Sequence, residues 1–573
     1  MTVRTRALIT APRSPVAAAQ ASIAADAATN DPAIWITRVP DGDFLAEAAA
    51  LEQEGQRGRP LWGMVVAIKD NIDVAGLPTT AGCPDYAYTP AHSAPAVQRL
   101  RDAGALVLGK TNLDQFATGL VGVRSPYGVP RNVFSAAHVP GGSSSGSAVA
   151  VAAGIVDAAL GTDTAGSGRV PAAFGNIVGL KPTIGSTPAT GMVPACRSVD
   201  TISVFARDVG TALAVQRVIA GYDATDPYSR ALPPGYLRSP ALPPGTRVAV
   251  GDVAALCAHE VARLYDRATS LFASETVDVA PFLALARLLY DGPWVAERTA
   301  ALREVVTDRP EIMHPVTRAI VAGGLERRTV DAFDAFHRLA EVRRLASELF
   351  TRHDALLLPT APFCPTLADL AADPIGPNSR LGTFTNFVNL CDMAAIAVPA
   401  GFGADGLPVG VTVLGPAWSE GRLAAIAGHI HAAFAEGVSP LEPDPLEAGE
   451  TALFCIGAHM SGLPLNGQVT GLGGRFLRAA TTRPEYRLHA LGPRPGLARA
   501  TPGAAITGEV WALPTTAIGA LLAQVPPPLG FGTVALEDGP CLGFLAEAAA
   551  LEGTTDITAH GGWRAWLAAK ETA

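Results

Sequence analysis

The stretch Gly141-Gly142-Ser143-Ser144-Ser145-Gly146, followed by Asp163-Thr164-Ala165-Gly166-Ser167-Gly168-Arg169, decides how this chain is read. Upstream, Lys69 ends the apolar run Met64-Val65-Val66-Ala67-Ile68. Two serines and a lysine are what a hydrolase needs when it activates a hydroxyl without histidine. A serine hydroxyl is a poor nucleophile at neutral pH, so a base must take its proton. A lysine does this only when neutral, which burial among apolar groups or hydrogen-bonding neighbours brings about. Lys69 sits at an expected half-buried strand end, before Asp70-Asn71. Standing alone, it would read as a lysine snorkelling from that strand or paired with Asp70. In the second cluster, small residues let the N–H groups of Thr164, Ala165, Gly166 and Ser167 converge on one point, ahead of a helical stretch near Pro171. An oxyanion hole is built this way. A flexible loop or a phosphate cradle is the alternative for each cluster, but the Gly-Lys-Ser/Thr ending of a phosphate loop is absent.

Outward from these clusters, short apolar runs alternate with helix-like stretches over the first part of the chain, the pattern of an α/β sheet layered by helices. One unit is legible in detail. Pro95 to Ala103 carries Val97, Leu100 and Ala103 on one helical face, Gly104 closes it, and Ala105-Leu106-Val107-Leu108 follows as a strand. Lys110-Thr111-Asn112 then lies at the strand end, where sheet enzymes place their sites. Proline and acidic residues gather at Ser439-Pro440-Leu441-Glu442-Pro443-Asp444-Pro445, which suits neither helix nor strand. A first domain over residues 1–440, a linker at 441–450 and a second domain over 451–573 are expected. The second has strand-like runs at Ala452 to Ile456, Tyr486 to Leu491, Glu509 to Leu513 and Thr533 to Leu536, with a helix over Thr515 to Gln524. The nonapeptide Phe-Leu-Ala-Glu-Ala-Ala-Ala-Leu-Glu occurs at 44–52 and again at 544–552 with unmatched flanks. It reads as coincidence in an alanine-rich chain, and both copies favour helix.

The bulk properties exclude several classes. A chain of 573 residues exceeds what one core usually organises, and 49% apolar with 17% charged residues describes a globular protein. A formal charge of −9 without a basic stripe argues against nucleic acid. Seven scattered cysteines with no Cys-x-x-Cys pair indicate a reduced, metal-free, cytoplasmic protein. After Arg4 and Arg6 the apolar stretch is broken by Pro12 and Arg13, too soon for a signal peptide, and Ala148 to Leu160 falls short of a membrane span.

Residues Gly141 to Thr183 resemble the core of the amidase signature family, and Val66-Ala67-Ile68-Lys69-Asp70-Asn71 resembles that family's lysine motif. The likeness is strong over roughly residues 60–210 and looser over the rest of the first domain. It implies the amidase signature fold, a mixed sheet layered by helices. It also implies that Ser167 is the nucleophile, that Ser143 bridges it to Lys69 after a cis peptide at Gly142-Ser143, and that Lys69 is the general base. The segments Lys110 to Gly119, Val193 to Asp200 and Leu289 to Arg298 resemble the family's allophanate hydrolase subgroup. That resemblance implies substrate-binding roles for Gly119, Tyr290 and Arg298. Allophanate is a urea bearing a carboxylate, and a guanidinium is a natural anchor for such an anion. A surface salt bridge with Glu297 or Glu304 is the alternative for Arg298.

Ile456 to Asn466, Glu485 to His489 and Gly508 to Trp511 resemble the carboxyl-terminal domain of allophanate hydrolases, an α+β fold like the γ-glutamyl cyclotransferases. The resemblance implies that the first domain yields N-carboxycarbamate and the second assists its decarboxylation. His489 is the candidate proton-exchanging group there, the alternative being a histidine simply satisfied within a strand. No cofactor is implied. The expected partners are allophanate, a second copy in a homodimer, and a separate urea carboxylase, because the chain has no biotin-attachment Met-Lys-Met and no ATP-grasp-sized segment. Two rival readings stand beside this one: another amidase or glutaminase component of the family, and a non-catalytic scaffold for a urea carboxylase. Intact Lys69, Ser143 and Ser167 argue against the scaffold.

Overall fold

A computed structural model describes residues 13–571, so Arg4, Arg6 and Pro12 lie outside the described residues. They form two compact units, one of residues up to 237 with 248–440, the other of 238–247 with 441 onward. The first unit is built on a mixed sheet of eleven strands. In chain order these are β1 (Trp35–Arg38), β2 (Val65–Lys69), β3 (Leu106–Thr111), β4 (Ala158–Asp163), β5 (Val178–Lys181), β6 (Thr201–Ala206), β7 (Val248–Gly251), β8 (Ser274–Val277), β9 (Ala355–Pro359), β10 (Met393–Phe402) and β11 (Pro408–Pro416). Their spatial order is β1-β3-β2-β4-β6-β5-β10-β11-β9-β7-β8. Every residue of β2 to β6 and of β9 is buried, which is why these strands are continuous apolar runs rather than alternating ones. Helices cover the sheet as expected: Ser145–Ala152 packs on β4, Val209–Ile219 on β6, and Glu420–Phe434 on β10 and β11.

Two features of this sheet place the site. Strands β2 and β4 run parallel, with Val66 opposite Ala158 and Ile68 opposite Leu160, so both chains leave the sheet at one edge. Lys69 and Asp163 are the last residues of those two strands. Helix Ser145–Ala152, all of whose residues are buried, starts two positions after Ser143 and holds the first Gly/Ser cluster against the same edge.

The second unit contains β12 (Glu450–Cys455), β13 (Arg475–Thr481), β14 (Tyr486–Leu491), β15 (Arg494–Arg499), β16 (Thr507–Pro514), β17 (Leu529–Leu536), β18 (Gly539–Ala546) and β19 (Thr555–Asp556). A five-stranded sheet, β13-β16-β12-β18-β17, accompanies a three-stranded one, β15-β14-β19, around a core that includes Phe454, Tyr486, Trp511 and Phe544. Residues 238–247 were expected inside the first domain, yet they belong to this unit. The Ala241 N–H donates to Phe476 O at 2.9 Å, and Ser461 Oγ lies 2.8 Å from Pro244 O. The stretch expected as a linker has neither helix nor strand from 441 to 449 and is held by Arg475, which donates to Asp444 O at 2.6 Å and Pro445 O at 2.9 Å. The repeated nonapeptide corrects a second expectation. Its first copy lies within the helix Asp41–Glu54, whereas the second ends β18 and continues into a 3-10 turn at Ala548–Leu551. There, pairing of Phe544, Leu545 and Ala546 with Phe531, Gly530 and Leu529 overrides helix propensity. Among the described residues no helix is long and apolar enough to cross a membrane.

Candidate active site

Lys69 is completely buried at the end of β2. Its Nζ donates to Ser143 Oγ at 2.8 Å and to Thr162 Oγ1 at 2.6 Å. The alternative partner Asp70 is engaged elsewhere: Lys110 Nζ lies 3.3 Å from its Oδ1, and the Thr80 N–H and hydroxyl donate to its Oδ2. Burial lowers the Lys69 pKa to about 7, with Arg298 acting in the same direction and Asp114, Asp200 and Asp163 opposing it. A lysine so placed is half-neutral near physiological pH, where a general base works best.

The peptide between Gly142 and Ser143 is cis. A Cβ on Gly142 would come within 2.2 Å of Asp114 Oδ2, so only glycine admits this approach of carboxylate to backbone. Asp114 is a residue that the motif reading did not single out. It accepts the N–H groups of Val121, Gly122 and Arg124 at 3.2, 2.9 and 2.9 Å, and its own N–H donates to Ser143 O. It thereby shapes the loop carrying Gly119, whose carbonyl lies 3.5 Å from Ser167 Oγ. Ser167 is buried, and among the described residues no hydrogen bond joins its hydroxyl directly to Ser143.

Ser167 is held by a buried ion pair just behind it. Arg169 donates to both oxygens of Asp163 at 2.9 Å, and to Asn389 Oδ1 at 3.0 Å. Burial works to raise the Asp163 pKa, but Arg169, Lys181 and the Gly168 N–H overcome it and keep the carboxylate below its ordinary range. The same carboxylate takes the Gly166 N–H at 2.9 Å and that of Gly168 at 3.1 Å. Of the four N–H groups expected to line an oxyanion hole, that of Gly166 is therefore already committed, which leaves Thr164, Ala165 and Ser167. Thr164 Oγ1 donates to Asp200 Oδ1 at 2.5 Å. Burial raises the Asp200 pKa to about 6, against the bond from Thr164 and the charge of Arg298.

Arg298 is also fully buried, on the helix Trp294–Ala301. It donates to Thr118 Oγ1 at 3.2 Å and to Tyr290 OH at 3.3 Å, with its guanidinium 4.8 Å from the centre of the Tyr290 ring. Its Nε has no hydrogen-bond partner, and among the described residues no carboxylate lies within ion-pair distance. The surface salt bridge with Glu297 or Glu304 is thus set aside. Glu297 accepts instead from the Ser198 N–H and hydroxyl, both at 2.7 Å. Asp200 and Glu297 favour the charged form of Arg298 from beyond contact distance, and a buried cation that no carboxylate touches costs on the order of several kcal/mol to desolvate. A second buried guanidinium, Arg124, brackets the same loop, donating to Thr118 O at 2.9 Å and Pro374 O at 2.9 Å. No motif flagged Arg124, since its identity makes sense only once the loop is folded.

The first unit thus brings Lys69, Ser143, Ser167, Gly119, Tyr290, Arg298 and the Thr164–Ser167 turn into one connected network of contacts. His489 lies on β14 of the second unit, half-buried, opposite Gly496 and Asp556, with Nδ1 3.1 Å from Thr554 Oγ1. A polar cluster in that unit centres on another residue, Glu509. It is buried and accepts from the Ser461 N–H and hydroxyl, Trp511 Nε1 and Arg564 at 2.6 to 3.1 Å.

Residues 20–424 match the family model described as Amidase, and residues 451–568 match the Allophanate hydrolase C-terminal domain. The chain is 41% identical over 577 residues to the urea amidolyase of Lachancea kluyveri, covering 94% of this chain and 31% of that protein. It therefore spans about a third of that relative's length. It is 36% identical over 412 residues to a glutamyl-tRNA(Gln) amidotransferase component of Thermus thermophilus, covering 66% of this chain and 87% of that one. Among solved structures, the Kluyveromyces lactis allophanate hydrolase superposes with a TM-score of 0.77 at 38% identity, covering 97% of each chain. With the amidase match extending over more than half of its 573 residues, the chain belongs to the amidase family.

Proposed function

We propose that this protein hydrolyses allophanate, urea-1-carboxylate, to ammonia and carbon dioxide. The observation that carries the substrate is Arg298, a buried guanidinium with an unpartnered Nε and no carboxylate in ion-pair range, linked through Thr118 to the loop of Gly119 that meets Ser167. The substrate carboxylate supplies the missing counter-charge, with Tyr290 closing over the guanidinium. Neutral Lys69 takes the Ser143 proton, Ser143 takes that of Ser167, and Ser167 attacks the terminal amide carbonyl. The N–H groups left free at Thr164, Ala165 and Ser167 stabilise the oxyanion. The proton returns along the same relay to the leaving group, ammonia departs, and water hydrolyses the acyl-enzyme to N-carboxycarbamate. The relay requires the Ser167 hydroxyl to turn from Gly119 O towards Ser143 Oγ.

The second unit assists the loss of carbon dioxide from N-carboxycarbamate, with His489 as the proton-exchanging group. The unit's match to the Allophanate hydrolase C-terminal domain supports its taking part in the same overall reaction. We place the reaction in the cytoplasm, a setting supported by seven free cysteines. In this reading the protein works as a homodimer, and a urea carboxylase supplies its substrate, the latter in keeping with the relatives named urea amidolyase.

Ammonia release from synthetic allophanate is the deciding measurement, with Ser167→Ala abolishing it. Arg298→Ala raises KM for allophanate by about 10- to 100-fold, the worth of a charge-assisted hydrogen-bonded anchor, and weakens inhibition by the dicarboxylate malonate in parallel. Faster hydrolysis of glutamine than of allophanate would decide for the glutaminase reading, which the likeness to the glutamyl-tRNA(Gln) amidotransferase keeps open.

A further inference from the structure

Glu297 immediately precedes Arg298 on the helix Trp294–Ala301, and its carboxylate is engaged entirely by the loop of residues 195–200. Oε1 accepts the Ser198 N–H at 2.7 Å, and Oε2 accepts the Ser198 hydroxyl at 2.7 Å and the buried Cys196 thiol at 3.0 Å. The same thiol lies 3.8 Å from the carbonyl of Trp294, in the first turn of that helix. At its other end the loop is gripped by Asp200. Its Oδ2 accepts the N–H groups of Ala195 and Cys196 at 2.8 and 3.0 Å, while its Oδ1 accepts Thr164 Oγ1 at 2.5 Å. Asn389 adds a third tie, donating to Val199 O at 3.0 Å and Asp163 O at 2.8 Å. An unbroken run of buried or half-buried contacts thus joins the helix of Arg298 to the turn of Ser167.

We infer that Glu297, acting through Ser198, Cys196 and Asp200, is a positioning residue that sets the distance between the carboxylate anchor and the Thr164–Ser167 turn. The inference rests on the allophanate reading of the site. A substrate held by its carboxylate at one end and attacked at a carbonyl at the other needs both ends of the pocket in register. Displacement of one end by about an ångström costs turnover on the order of a hundredfold while each end still works alone.

The signature is therefore a split between readouts. In the full-length chain, Glu297→Ala lowers kcat on allophanate by about 10- to 100-fold, while the rate of fluorophosphonate labelling at Ser167 and the inhibition constant of malonate stay within about threefold of the parent. Glu297→Gln, which keeps a carbonyl acceptor for the Ser198 N–H, restores part of the loss. Unchanged kcat in Glu297→Ala, or a labelling rate that falls in step with kcat, overturns the inference, the second because it reports collapse of the turn itself. If the parent labels at Ser167 yet releases no ammonia from allophanate, the substrate reading fails and this inference falls with it. Turnover retained in the parent and unaltered in the variant sinks the positioning role alone.

Discussion

In the proposed mechanism Lys69 acts as a base only when it has lost its proton, and that sets the sign of the pH dependence. With its pKa brought down to about 7, the base is mostly charged at pH 6 and mostly neutral at pH 8, so kcat/KM climbs with pH and is half-maximal near 7. Asp200 raises the Lys69 pKa, so Asp200→Asn moves the climb to lower pH. The amide fits the site, because its oxygen takes the N–H groups of Ala195 and Cys196 while its nitrogen donates to Thr164 Oγ1. A pH-rate profile of both proteins checks this, and a climb that stays in place or moves upward contradicts it. At this scale the proposed reacting groups stand out in sequence because serine, serine and lysine lie in unusual surroundings of glycine and apolar residues. Their restraints were not. That Asp70 pairs with Lys110 rather than Lys69, and that the Gly166 N–H turns to Asp163, depends on which side chains the folded sheet makes neighbours.

The parallel pairing of β2 with β4 carries Lys69 and the Thr164–Ser167 turn to one sheet edge, and the turn survives there only because one residue has no side chain. At Gly166 φ is +131°, and a Cβ would lie 2.4 Å from Thr385 Oγ1. Gly166→Ala is expected to cost about 1–3 kcal/mol of stability through overpacking and to lower fluorophosphonate labelling of Ser167 by more than about tenfold, since displaced oxyanion donors are worth several kcal/mol of barrier. Differential scanning calorimetry and labelling kinetics measure the two effects, and a variant with normal labelling would show that the turn tolerates the side chain. Element positions in the sequence were readable where periodicity is strong. The helix Pro95–Asp102 and the strand Tyr486–Leu491 fall where apolar spacing puts them. The repeated nonapeptide marks the boundary of that method, since identical residues form a helix at 44–52 and end a strand at 544–546. Partner strands decided the second case, and a strand partner leaves no trace in the segment itself.

Across the whole molecule, the sequence changes texture near residue 440, whereas nothing in it announces that residues 238–247 group with residues 441 onward. Nothing in Arg238 to Arg247 is strand-like or apolar enough to announce that it packs with residues two hundred positions on. Removing residues 441–573 would strip that segment of its bonds to Phe476 O, Asp444 and Ser461. Each lost bond is worth about 1 kcal/mol, so in a chain ending at 440 the segment is expected to be cut by protease within 238–247. Limited proteolysis with mass spectrometry checks this, and a truncated chain with an uncut segment contradicts it. The same discontinuity bears on how the protein is made. Residues 238–247 leave the ribosome roughly 190 residues before their partners, which at about 5–20 residues per second is a wait of about 10–40 s for a strap with nothing to fasten to. A gene split anywhere between 247 and 441 would separate the strap from its unit altogether, leaving that unit to be reassembled across a break in the chain.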